Sequence, residues 1–278
     1  MLTIDPKIEK TSTIHKYILG AVAPRPIAFA STIDNDDNLN LSPFSFFNAF
    51  SANPPILIFS PARRVRGNTI KHTLENVLEN KEVVISIVTT EMAHQVSLSS
   101  CDFEKDVNEF EKGGFTAIKA DLVTPYLIKE SPVNFECKVN EVIELGEEGG
   151  AGNLVICEVL KIHINEDILD SEKNIDPLKL NALSRLGGNW YGKATKDSLF
   201  QLAKPIGKIG MGFDNLPEEI RNSSILSGSD LAILASEENI PTKKEFTLRE
   251  ENNTIEKHIL AKELLSQGNS AGAWQILL

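Results

Sequence analysis

Residues 42–51 set four phenylalanines, Phe44, Phe46, Phe47 and Phe50, among Ser42, Ser45, Asn48 and Ser51, with Pro43 at one end and Pro54-Pro55 beyond the other. Flat apolar surface beside small hydroxyl and amide groups suits a planar small molecule with a polar edge. The spacing fits neither a regular strand nor a long helix, and the hydroxyls could equally satisfy backbone groups in a buried connection. A second cluster is cationic. Arg63-Arg-Val-Arg66 is the only tight basic run in the chain, and Gly67-Asn68-Thr69 follows it as the opening of a helix expected to run through Leu78. Helix N-terminal amides beside arginine favour an anion, and guanidinium adds bidentate hydrogen bonds to phosphate. The competing reading makes Asn68 or Thr69 simple N-caps and pairs Lys71 with Glu75 one turn on.

The elements that must position these clusters are short. Pro24 and Pro26 bracket Arg25 and hold an extended path, because each proline pushes its predecessor out of the helical region. Residues 27–32 and 39–41 read as strands joined by the polar turn 34–37, and residues 56–60 and 83–88 as buried strands. Residues 11–20 carry Ile14, Tyr17 and Ile18 at helical spacing, a packing helix. Residues 91–98 and 106–114 read as short helices, the first carrying His94, a lone helical histidine of the kind more often packed or surface-exposed than catalytic. Phe135, Cys137 and Val139 alternate with Glu136, Lys138 and Asn140, which predicts a strand with one wet face. The glycine-rich stretch 146–153 then reads as a flexible hairpin turn into a strand over 154–164. Five or six strands with hairpins and few helices predict a closed antiparallel barrel.

Several chemistries lack their signatures. The glycines of 146–152 sit between strands, and Gly207, Gly210 and Gly212 fail the same test, so no dinucleotide fingerprint is present. Cys101, Cys137 and Cys157 are odd in number and widely spaced, which argues against disulfides or structural zinc and for buried apolar roles. No catalytic triad spacing and no metal motif is visible, so neither a catalytic nor a metal residue is assigned.

The segments Ala23-Pro-Arg-Pro-Ile-Ala-Phe-Ala-Ser-Thr32, Asn40-Leu-Ser-Pro-Phe-Ser-Phe-Phe-Asn48 and Asn53-Pro-Pro55 resemble the flavoredoxin-like branch of the flavin reductase-like family, the FMN-binding split barrels. Lys71-His-Thr73, Glu130-Ser-Pro-Val-Asn-Phe-Glu-Cys137 and Arg185-Leu-Gly-Gly-Asn-Trp-Tyr191 match in the same order. The resemblance covers roughly residues 13–195 and is specific because separate motifs agree in sequence order.

It implies a mainly β fold with short helices (α+β), an FMN-binding split β-barrel. It also implies that Arg25, Ser42 and residues 44–51 (Phe44, Ser45, Phe46, Phe47, Asn48, Ser51), largely through backbone groups, contact the isoalloxazine and ribityl parts of FMN. It places Lys71 and Thr73 near the phosphate, where the basic run and helix start already put Arg64, Asn68 and Thr69 as expected ligands. The segment ending at Tyr191 lies near the flavin at a dimer interface in that family; from the residues alone it could be an aromatic plug on the barrel end. One departure stands at His72, where the family commonly has Asp. NAD(P)H, when it is a substrate of such proteins, stacks transiently on the flavin and passes a hydride to it. Two activities follow: an NAD(P)H-dependent flavin reductase, or a flavoredoxin-type electron carrier that keeps FMN and exchanges electrons with a redox partner protein. A homodimer is expected.

The chain of 278 residues has a formal net charge of −11, spread evenly, which argues against nucleic acid. With no apolar leader and no apolar run long enough to span a bilayer, the expected location is cytoplasmic. Lys204-Pro205 suggests a boundary between residues 1–204 and a partly helical extension, 205–278. In the extension Pro217 opens a brief helix, and a longer one over 254–267 presents Ile255, Ile259, Leu260 and Leu264 on one side with Gly268 as its stop. Residues 197–203 form one more candidate helix.

Overall fold

The structure, a computed structural model, describes residues 1–202, 204, 206–243 and 253–278. It divides into two compact units, Met1–Phe200 and Gln201–Leu278. In the first, α1 (Thr11–Ala21) precedes β1 (Ala28–Ile33), β2 (Leu39–Phe44), β3 (Phe47–Ala52) and β4 (Pro55–Phe59), and α2 (His72–Asn80) leads into β5 (Glu82–Ile87). Two short helices, α3 (Ala93–Leu98) and α4 (Glu109–Gly113), and the small β6 (Ala117–Ile118) and β7 (Leu127–Ile128) come before the long hairpin of β8 (Val133–Glu144) and β9 (Asn153–Ile164). The unit ends with α5 (Pro177–Leu180) and the two-residue ladder β10 (Ser184–Arg185) and β11 (Tyr191–Gly192).

Seven strands form one antiparallel sheet in the order β2-β1-β5-β8-β9-β4-β3. The sheet is open: β2 and β3 are its two edges, so the fold is a split barrel and the expected closure does not occur. The Phe-rich stretch also differs from the sequence reading. Phe47–Ala52 is a regular strand paired with β4 (Phe47↔Phe59, Ala52↔Pro55), and a register shift between Ala49 and Ser51 hides its period. Such a bulge puts two residues opposite one and breaks the two-residue alternation.

Both faces of the sheet are covered. Ala28, Ala30, Phe44, Leu57, Phe59 and Ile85 share the barrel core with Cys137, Val139 and Cys157. Phe29 and Leu41 point the other way, into a layer with Val96, Phe110 and Phe115. The wet face expected on β8 is therefore dry at its start. Asn134 accepts from the Ile128 amide at 3.0 Å, and the fully buried Glu136 accepts from the Asp121 and Leu122 amides. These side chains pin residues 121–128 over the sheet, and water is met only from Lys138 onward. The expected packing role of α1 is not seen, since it buries no residue and exposes Tyr17 and Ile18.

The second unit is helical, with α6 (Glu218–Arg221), α7 (Gly228–Ala235), α8 (Thr254–Ser266) and α9 (Ser270–Leu277). Ser227 with Asp230 and Asn253 with Glu256 form capping boxes that start α7 and α8. Leu231, Leu234, Ala261 and Leu265 pack with Trp274 in its core. The face expected on α8 is rotated: Ile255 is 59% exposed and Ile259 is also exposed, while His258, Ala261 and Leu265 are buried. The small Ala261 and the hydrogen bond between Ser223 Oγ and His258 Nδ1, 2.8 Å, explain the choice of face. Of the candidate helix at 197–203, only a single 3-10 turn, Lys196–Ser198, is present; Ala203 and the Pro205 boundary lie outside the described residues.

Candidate functional site

The basic run folds as a tight turn, and its helix begins later than expected. Gly67 (φ 79°) and Asn68 (φ 49°) are both left-handed, which no α-helix continues, so α2 starts at His72 with Lys71 as its N-cap. Arg63 holds this turn: its Nε donates to Asn68 Oδ1 at 2.8 Å and its Nη2 to the Asn68 carbonyl at 3.0 Å. The β8–β9 turn braces it from the other side, with Arg63 N to Ala151 O at 2.8 Å and Gly150 N to Arg63 O at 3.0 Å. A Cβ on Gly149 would come within 3.0 Å of the Val65 carbonyl, so glycine is needed there for close approach. The glycine-rich turn is thus a brace for the basic loop, where the sequence suggested only a flexible connection.

The braced loop delivers Arg64 and Lys71 to one cleft, with His72 and Thr73 from the start of α2 and Asn40 and Ser42 from β2. Ser99, Cys101, Asp102, Phe103 and Glu109 complete its lining. Arg64 Nη1 donates to Thr69 Oγ1 at 3.2 Å, while Arg64 Nε and Lys71 Nζ reach Asp102 Oδ1 at 3.4 and 3.7 Å. The pairing of Lys71 with Glu75 is not what forms; Glu75 meets Lys105 at 3.9 Å. The first amides of α2 have no intrahelical acceptor and open toward the helix N-terminus.

Beneath the cleft runs a buried polar chain. Asn76 Nδ2 donates to Thr32 Oγ1 (3.1 Å), and Thr32 (3.3 Å) and Thr73 (2.6 Å) both donate to Asn40 Oδ1. Asn40 Nδ2 donates to Glu109 Oε1 (2.9 Å), and the Leu41 amide donates to Glu109 Oε2 (3.1 Å). The carboxylate fixes the direction of the chain: the Asn40 nitrogen must face Glu109 and its oxygen Thr73. Thr73, 1% exposed, has its single hydroxyl proton committed inward and offers an anion only its backbone N–H. Burial pushes the Glu109 carboxyl above its ordinary range, against the hydrogen bonds from Leu41 and Asn40.

Other expected residues lie elsewhere. The Phe44 side chain is in the barrel core, and Phe47 packs against that core. Phe46 meets His15 edge-on at 6.4 Å. Ser45 is half-buried; Asn48 and Ser51 are exposed on β3, where Asn48 Oδ1 accepts from the Ala49 amide at 2.8 Å. Asn68 is turned away, its Nδ2 donating to the Glu147 carbonyl at 2.9 Å. Trp190 and Tyr191 are exposed, with the Arg185 guanidinium 4.5 Å from the Tyr191 ring centre, so within this chain they plug no barrel end. His94 is exposed, and Cys101 is exposed where a buried role was expected. Cys137 and Cys157 are buried as expected, and burial pushes the Cys137 thiol up to about 12.

Arg25 is buried as a clamp. Its Nη1 donates to the Leu19 carbonyl at 2.7 Å and to the Val22 carbonyl, and its Nη2 to the Leu186 carbonyl at 3.2 Å. Burial, and then the charge of Arg185, pull its pKa down. The guanidinium therefore ties the C-terminal end of α1 to the β10–β11 ladder. Arg25→Ala is expected to lower stability by about 1–3 kcal/mol, read by urea unfolding, because three carbonyls lose a charged donor.

Among the described residues, Asp121, Glu136 and His163 lie close enough to share an ion. The trio is already satisfied: His163 Nε2 and Glu136 Oε1 are 2.6 Å apart, Glu136 also takes two amides, and Lys161 Nζ sits 2.6 Å from Asp121. Burial raises the Glu136 carboxyl, but hydrogen bonds from His163, Leu122 and Asp121 outweigh it and leave the pKa lowered. A lowered carboxyl stabilises the fold above its unfolded pKa, and that contribution disappears as pH falls through the folded value. Glu136→Gln is expected to cost about 1–3 kcal/mol at neutral pH. It should also flatten the loss of stability on acidification, measured by urea midpoints across acid pH.

A larger open cleft of about 860 Å³ sets Asp37, Asp106 and Asp121 against the single Lys119, the wrong charge balance for phosphate. Among the described residues no helix is long and apolar enough to cross a membrane.

Comparison with known proteins gives the class of the open seven-stranded barrel. Residues 20–180 match the model of the flavin reductase like domain, and the chain belongs to that family. An uncharacterized protein of Aquifex aeolicus is 39% identical over 182 residues, 66% of this chain and 90% of the relative. The crystal structure of nitrilotriacetate monooxygenase component B from Bacillus cereus is similar at 28% identity and a TM-score of 0.68, covering 73% of this chain and 98% of that one. Flavoredoxin of Desulfovibrio vulgaris shares the fold at 17% identity and a TM-score of 0.57, over 74% of this chain and 98% of its own. Family membership makes this chain a flavin-related oxidoreductase.

Proposed function

We propose that the chain binds FMN and acts as an NAD(P)H-dependent flavin reductase. The observation that carries this reading is the convergence of Arg64, Lys71 and the N-terminus of α2 on one cleft, in a chain of the flavin reductase like family. The donor set fits a phosphate: two cations and free helix amides, already holding a carboxylate, Asp102, in the same place. Bound flavin supplies the hydride chemistry, with NAD(P)H as the donor. The chain's part is to bind and orient. Arg64 and Lys71 hold the phosphate with the α2 amides, Thr73 through its N–H. Ser42 lines the cleft, and the exposed Asn48 and Ser51 of β3 offer polar contacts to the ribityl and ring parts, chiefly through the backbone. No proton donor is assigned.

A homodimer belongs to the same proposal. The edge strand β3, with Phe50 63% exposed, and the β10–β11 ladder, with exposed Trp190 and Tyr191, are apolar surface that a second copy would cover.

Anaerobic reconstitution with FMN and titration with NADH or NADPH tests the activity. Rapid bleaching of the flavin band is expected, and the faster nucleotide identifies the donor. Retained flavin that bleaches only with a chemical reductant would replace this reading with the electron carrier, and failure to bind FMN would remove both.

A further inference from the structure

The cations that make the cleft a phosphate site are not free. Arg64 Nε and Lys71 Nζ both approach the same oxygen, Asp102 Oδ1, at 3.4 and 3.7 Å. Asp102 lies outside any helix or strand and its side chain is 76% exposed. Neither burial nor a ladder fixes it there, and the ion pairs are its attachment. Its carboxylate oxygen has the charge and acceptor chemistry of a phosphate oxygen and occupies the position between the two donors where such an oxygen would bind.

We propose that Asp102 is an internal competitor for the phosphate of the flavin. The inference rests on the flavin reading above and deepens it. With no ligand in the cleft, Asp102 neutralises Arg64 and Lys71; an entering phosphate takes both cations, and the Asp102 side chain turns out to water. No bond is made or broken, and one anion replaces another. The exchange discounts the affinity of every ligand that brings a phosphate to the cleft and leaves a ligand without one untouched. Its consequence is kinetic as well. When the phosphate loosens, a carboxylate on the neighbouring α3–α4 connection is at hand to take over the cations, so release is faster than the same site would allow without Asp102. FMN is thereby held as an exchangeable substrate, which suits a reductase that delivers reduced flavin better than a carrier that must retain it.

The test compares FMN with riboflavin, which lacks the phosphate, by fluorescence-quenching titration and stopped-flow release at fixed ionic strength. Wild type, Asp102→Asn and Asp102→Ala are measured, the alanine variant because it adds no new donor. The exposure of the side chain means that neither substitution threatens folding. For ion pairs this exposed, both variants are expected to tighten FMN about two- to tenfold and slow its release, with riboflavin unchanged. In a Lys71→Ala background the effect of Asp102→Asn should shrink. An FMN Kd that is unchanged or weaker in both variants overturns the proposal, as does equal tightening of riboflavin. A wild type that binds FMN no better than riboflavin strikes the phosphate site itself and the competitor with it. A wild type selective for FMN but indifferent to Asp102 strikes the competitor alone.

Discussion

Arg64→Ala combined with Lys71→Ala weakens FMN by about 3–5 kcal/mol, two to more than three powers of ten in Kd, and leaves riboflavin affinity unchanged. The expectation comes from charge-assisted hydrogen bonds of about 1.5–3 kcal/mol each, so Lys71→Ala alone should cost about that amount. The double variant should fall somewhat short of the sum, because the two side chains share one anion and are not independent. The effect should also shrink in high salt, since both side chains are only partly buried. Comparing FMN with riboflavin in equilibrium titrations separates loss of a phosphate contact from general damage. If both ligands weaken together, Arg64 and Lys71 hold up the cleft and do not bind phosphate. Arg64 carries part of that structural risk, because it also holds Thr69 and the Ile70 carbonyl; Lys71 carries less, since among the described residues its ion pair is with the exposed Asp102.

The second large effect concerns the helical unit. Trp274→Ala is expected to destabilise it by about 3–5 kcal/mol, read as a fall in the urea midpoint of the helical circular dichroism signal. Trp274 is fully buried among Leu231, Leu234, Ala261 and Leu265. Among the described residues its indole Nε1 has no hydrogen-bond partner, so no hydrogen bond is lost with it and the cost is lost packing and the cavity left behind. A cost near 1 kcal/mol would mean that the core collapses around the gap or that the helices do not depend on this residue.

Much of the fold was legible because the strands carry local signals. The hairpin of β1 and β2, the buried runs of β4 and β5, and the long β8–β9 pair all follow from apolar runs punctuated by proline, glycine and acidic turns. What was not legible depends on contacts distant in sequence. Glu136 looks like a solvent-facing residue until the amides of Asp121 and Leu122 fold over it. The buried face of α8 departs from the apolar pattern: Ile255 and Ile259 are the more apolar residues, whereas Ala261 and His258 fit the space beside Trp274 and Ser223. Strand content predicts a closed barrel and the sheet is open, since pairing between edges depends on strand order and not on strand content.

The candidate site shows the same division. Lys71 and Arg64 were visible as a basic cluster before a helix, and the structure brings both to one cleft with Ser42. The late start of α2 was hidden in the left-handed geometry of Gly67 and Asn68, although an adjacent Gly-Asn pair is a turn signal. Asn40, Asp102 and Glu109 were not singled out. Asn40 stood inside a matched motif but acts through a buried network, and Asp102 has no local pattern to mark it. Thr73 was read as a phosphate ligand because its position in the motif suggests it; only the hydrogen-bond directions show that its hydroxyl proton is already used.

The central claim is the location of the phosphate, and a crystal structure of the FMN complex tests it most directly. The account predicts phosphate oxygens within hydrogen-bond distance of Arg64, Lys71 and the first amides of α2, with Asp102 displaced from both cations. A phosphate bound away from residues 63–73, with Asp102 still paired to Arg64 and Lys71, would contradict it.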